Sequence, residues 1–124
     1  MITEDYVSFE TAKLLKEKGF NEVCEMFYCK PHEGYLKNCK RDEWWNSDLR
    51  EDMTCTCPSI QMAMKWLRKE HNIQIVVSPY NTLDKTWSYH TFRNFEALTQ
   101  HFYAFETYEE AAEAAIKYCL EKLI

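Results

Sequence analysis

Glycine is nearly absent from this chain: 124 residues contain Gly19, Gly34 and no others. Loops that cradle phosphate depend on several glycines to let backbone amides approach the anion, so the nucleotide-binding loop classes are excluded. Proline is scarce too, at three residues, which leaves no proline-rich linker and argues against long disordered connections. No stretch approaches the roughly 20 apolar residues of a membrane span, and no N-terminal apolar run of signal-peptide length is present. The chain is therefore expected to be cytoplasmic, with no membrane contact. Positive charge is also short, at 15 Lys and Arg against 20 Asp and Glu, a net charge of −5. A general nucleic-acid binder needs a positive face to displace counterions from phosphates, so no nucleic-acid partner is expected. Lys65, Arg68 and Lys69, with Glu70 beside them, read as the solvated face of a helix. A serine-centred elbow and an H-E-x-x-H pair are both missing, and the checklist for a catalytic site finds no starting point. The reading is non-catalytic, with no cofactor.

Aromatic residues are what the chain has in abundance. Four Trp, eight Tyr and seven Phe make up 15% of it, more than one small core hides. An exposed aromatic cluster is a candidate contact surface. The length fits a single domain over 1–124, able to bury about two-thirds of its unfolded surface without staples.

Local patterning predicts an α+β domain: helix, two strands, helix, two or three strands, helix. Ser8 caps a helix over Phe9–Lys18 that Gly19 stops. Val23–Cys29 reads as a strand, and Pro31–Gly34 as a turn that lets Tyr35–Lys37 pair back. From Asn38 to Cys57 the pattern is lost, and the polar stretch reads as a long loop. Pro58 suits the first position of a second helix, with Ile60, Ala63, Met64, Leu67 and His71 on one stripe. Ile73–Ser78 and Trp87–Phe92 follow as strands, and 94–106 leans to an edge strand. Thr107 and Glu110 form a capping box for the last helix, whose stripe runs Ala111, Ala112, Ala115, Ile116, Cys119, Leu120 and Leu123. Together these predict a small, mostly antiparallel sheet of four or five strands with three helices on one face. The second half has the element order of a double-stranded-RNA-binding domain, an activity the acidic balance opposes.

The strings Pro58-Ser59-Ile60-Gln61-Met62-Ala63-Met64-Lys65-Trp66-Leu67-Arg68 and Tyr108–Glu121, with the opening Met1–Ser8, carry a resemblance. They are similar to small uncharacterised proteins of Bacteroides-type gut bacteria and their prophages or mobile elements. That resemblance implies a setting, an accessory protein of a mobile element, and transfers no site residues.

Two groups are candidates for function. Trp44, Trp45, Trp87 and Tyr89 are the binding candidates. Trp44 and Trp45 sit in a polar loop, and Trp87 and Tyr89 alternate on one strand face, which is either the inner face or the open one. On the open face they form a platform for a protein partner or a second copy of the chain, and aromatic anchors dominate interface energetics. The alternative is a zinc site drawn from Cys29, Cys39, Cys55 and Cys57, since a poorly patterned loop rich in Cys is where structural zinc substitutes for a core. Against it, no C-x₂-C knuckle occurs, and a free Cys otherwise packs as a small apolar side chain. A third reading is an enzyme with no recognisable motif.

Overall fold

The capping residues read from the sequence hold the first helix at both ends. In the computed structural model α1 spans Phe9–Glu17, and the Ser8 hydroxyl accepts from the Thr11 amide at 3.2 Å. Gly19, at φ +95°, lets the chain reverse so that the Phe20 amide donates to the Leu15 carbonyl at 2.9 Å. The structure describes residues 1–29, 36–38, 46 and 53–124. They fall into two units, Met1–Ser59 and Ile60–Ile124. The fold class is α+β, with the strands divided between two antiparallel three-stranded sheets.

In the N-terminal unit, β1 (Met26–Cys29) pairs with β2 (Leu36–Asn38) on one side and β3 (Met53–Thr56) on the other. β3 corrects the expectation that 38–57 is one long loop. Four residues are too few for alternation to stand out against polar flanks, and pairing with β1 is what makes them a strand. Asn46 ties the layers together. Its Nδ2 donates to the Phe20 carbonyl at 2.6 Å, and its Oδ1 accepts from the Thr56 amide at 2.8 Å. Pro58 also departs from expectation. It lies in the extended approach to the next helix, where its carbonyl accepts from the Val7 amide at 3.1 Å and Ser59 bridges Tyr6. The core here is Val7, Ala12, Leu15, Phe20, Cys24, Phe27, Tyr28, Cys55 and Cys57. Tyr28 meets the Phe9 ring edge-on at 5.2 Å and donates its hydroxyl to the Val7 carbonyl at 2.8 Å.

The C-terminal unit runs α2 (Ile60–His71), β4 (Ile73–Asn81), β5 (Thr86–Arg93), β6 (Glu96–Phe105) and α3 (Tyr108–Tyr118), closed by a π-helical turn over Cys119–Leu123. The sheet is a simple meander with β5 in the centre, and β6 is the edge strand the sequence leaned toward. α2 and α3 pack on each other and on the sheet. Their apolar stripes supply Ile60, Ala63, Met64, Leu67, Ala111, Ala112, Ala115, Ile116, Cys119 and Leu120 to the core. Trp66 adds to the stripe of α2, its ring edge-on to His71 at 4.8 Å. Thr107 Oγ1 accepts from the Glu110 amide at 3.0 Å, as the capping box requires. The Glu110 carboxylate returns to the Glu106 amide, one residue earlier than the box predicts.

Two tight connections hold the meander in register. Asn94 and Phe95, at φ +53° and +65°, form a two-residue hairpin turn of the kind that usually carries Asn-Gly. A phenylalanine is tolerated there with help from outside the turn. The Gln74 side chain accepts from the Phe95 amide at 3.0 Å, and the Asn72 carbonyl accepts from the Asn94 amide at 3.0 Å. In the β4–β5 turn, Asn81 Oδ1 accepts from the Leu83 amide at 2.9 Å and the Asp84 amide at 3.3 Å, a side-chain turn in place of a glycine.

Candidate functional site

Antiparallel pairing settles which residues of the C-terminal sheet share a face, because residues directly opposite one another point the same way. Tyr89 pairs with Val77 and Phe102, and Trp87 with Pro79 and Phe105. This set faces the helices. The Tyr89 ring stacks on Phe102 at 4.8 Å, tilts against Phe105 at 5.7 Å and meets Tyr118 of α3 at 6.4 Å. It is 2% exposed, and burial raises its hydroxyl pKa well above the usual tyrosine range. Trp87 meets Tyr108 of α3 edge-on at 5.7 Å and is half-buried. Of the two faces the sequence left open for Trp87 and Tyr89, the structure takes the inner one.

The outward set includes Gln74, Val76, Ser78 and Tyr80 on β4, Thr86, Ser88, His90 and Phe92 on β5, and Ala97 and Tyr103 on β6. Tyr80 and Tyr103 stack at 4.9 Å with 18° between their planes. β4 and β6 are not neighbours, so the rings meet only by leaning over β5. Ser88, opposite Ser78 on β4 and Tyr103 on β6, is only 4% exposed although it points outward. Ser88 and Ser78 lie 3.4 Å apart, oxygen to oxygen. Tyr80 sits where the β4–β5 register shifts, between Pro79 and Asn81. That irregularity gives its ring the offset to reach Tyr103. Val76, Tyr80 and Tyr103 are 45%, 54% and 58% exposed. None of these eight outward positions on β4 and β5 is Asp, Glu, Lys or Arg.

Sequence reasoning passed over Tyr80 and Tyr103 for local reasons. Pro79 reads as the start of a loop, although an edge strand accepts a proline whose missing amide faces away from its partner. Tyr103 falls in a segment where helix and strand periods compete. The usable signal was the alternation Gln74, Val76, Ser78 against Ile73, Ile75, Val77, which marks Val76 as outward once the more apolar set is turned inward.

Trp44, Trp45 and Cys39 lie outside the described residues. Cys29 ends β1, and Cys55 and Cys57 are buried. The Cys57 thiol donates to the Val7 carbonyl at 3.3 Å. Burial pushes the Cys24 and Cys55 thiols up to about 11 and Cys119 to about 12. Such thiols stay protonated at neutral pH and are weak nucleophiles. Among the described residues, no three or more His, Cys, Asp or Glu are grouped to hold a metal ion. No described helix is long and apolar enough to cross a membrane. Comparison of the chain with protein-family models, with curated proteins and with solved structures gives no match.

Proposed function

We propose that this chain is a non-catalytic protein-interaction module, and that the outward face of β4-β5-β6 is its contact surface. The observation that carries the reading is the stacked Tyr80–Tyr103 pair, exposed with Val76 on a sheet face without charged positions on β4 or β5. Each ring already has one flank ordered against the other. A partner covering the pair therefore gains apolar burial at low entropic cost, which is how aromatic anchors come to dominate interfaces. The resemblance to mobile-element proteins of gut bacteria suggests the setting, an accessory protein that binds a host or phage protein. Trp44 and Trp45 belong to the same proposal as a second aromatic contact.

The test compares capture of protein partners from a Bacteroides-type lysate by the native chain and by Tyr103→Lys. A partner held by the native chain and lost with Tyr103→Lys, at unchanged circular dichroism, supports the reading. Equal capture by both, or no capture by either together with no self-association, overturns it. Trp44→Ala and Trp45→Ala, assayed alongside, are expected to leave the fold intact and weaken the same capture.

A further inference from the structure

We infer that a second copy of this chain covers the outward face of β4-β5-β6, packed sheet to sheet across a two-fold axis. This rests on the reading that the face is an interaction surface and names its occupant. The first argument is charge. The chain carries −5 overall and 28% charged residues, so about two of the eight outward positions on β4 and β5 would carry charge if they were ordinary surface. None does. A two-fold contact has a special need for this, since any charge near the axis is brought against its own copy. A face built for a foreign partner has no such need, and charge there aids steering and specificity.

The second argument is the layout of the face. The Tyr80–Tyr103 pair lies at the Ser88 end, and Phe92, opposite Gln74, lies at the other. Four residues of β5 separate the two ends, about 13 Å at strand rise. Val76 and His90, which pair with each other, lie midway. An axis through that midpoint sets the tyrosine pair of each copy on Phe92 of the other. Each end thus meets its complement twice, as an isologous contact requires. Two twisted sheets accommodate this at about 10 Å separation with strands some 30° apart.

Area sets the strength. Three strands about 4.8 Å apart and eight residues long present a face of about 400 Å², half the roughly 800 Å² per partner of a standard interface. The dimer is therefore expected to be weak and dependent on concentration. The experiment is sedimentation of the full chain from 5 to 500 μM (about the range where a sub-standard interface dissociates). Native protein, Val76→Lys, Val76→Glu and an equal mixture of the two variants are compared. The expected result is a monomer–dimer equilibrium for the native chain and association at least tenfold weaker for each variant alone. The mixture should recover association, because a residue near a two-fold axis meets its own counterpart. Val76 is exposed enough for both changes to fold, with circular dichroism as the check and Tyr103→Lys as a second disrupting variant. A native chain that stays monomeric to 500 μM overturns the proposal, as does dimerisation indifferent to Val76→Lys and Tyr103→Lys. If the chain is monomeric and Tyr103→Lys still abolishes capture of a different protein, self-association falls and the interaction reading stands. If neither association exists, both fall.

Discussion

Replacing Tyr89 and Tyr103 by alanine, one at a time, asks whether the sheet has the two faces described. Both are tyrosines on adjacent strands with a stacked aromatic neighbour, and composition gives no reason for them to differ. Tyr89 is 2% exposed and its ring touches Phe102, Phe105 and Tyr118, so truncation leaves a cavity between sheet and helix. Large aromatic-to-alanine changes at such sites cost about 4 kcal/mol. With a urea slope near ~2 kcal/mol per molar, the unfolding midpoint should fall by about 2 M. Tyr103 is 58% exposed and, among the described residues, stacks only on Tyr80, so its loss should cost under about 1 kcal/mol and move the midpoint by at most ~0.5 M. Amide exchange at Ile73–Val77 isolates the C-terminal unit from Met1–Ser59 and reports the same difference. Tyr89→Phe keeps the ring and should restore most of the loss. Equal costs for the two alanine variants, or a larger cost at Tyr103, would refute the assignment of faces and with it the contact surface.

Thr91 is 2% exposed, and its hydroxyl has no hydrogen-bond partner among the described residues, so Thr91→Val should stabilise the C-terminal unit by about 1 kcal/mol. A destabilised variant in urea melts would show that the hydroxyl is satisfied. The raised thiols predict alkaline unfolding. Each stays protonated in the fold while the unfolded chain deprotonates near pH 9, so stability is whole below that pH and falls as pH rises toward about 11 for Cys24 and Cys55 and about 12 for Cys119. The limiting slope is about 1.4 kcal/mol per pH unit for each thiol. Cys119→Ala should flatten its share of that slope in melts between pH 9 and 11, and an unchanged slope would contradict the burial argument.

The helices were legible because their signals are local. Ser8 and Thr107 cap through side chains three residues from the amides they accept from, and the apolar stripes of α2 and α3 repeat within one element. The faces of the sheet were not legible, for a reason of the same kind. Alternation shows that Trp87 and Tyr89 point together, but which way they point depends on where α3 lies, and nothing in 87–92 encodes that. Tyr80 was hidden by Pro79 and by the register shift that places its ring. The β5–β6 turn lacked its usual glycine because Gln74, far along the chain, supports the strained Phe95 backbone. β3 was invisible because four residues become a strand only through β1.

The two sheets also differ in the order in which the chain can complete them. In the C-terminal meander, Asn81 reaches Thr86 and Arg93 reaches Glu96 across connections of a few residues. In the N-terminal sheet, β1 meets β3 only after residues 30–52 have been spanned. Closing a loop several times longer costs about 1–2 kcal/mol more in chain entropy before any contact repays it. On refolding, the C-terminal hairpins are thus set to form ahead of the N-terminal sheet, as local pairings do. During synthesis the relation inverts: β1 leaves the ribosome before β3, so the pairing of Phe27 and Tyr28 with Thr56 and Cys55 waits until those residues emerge.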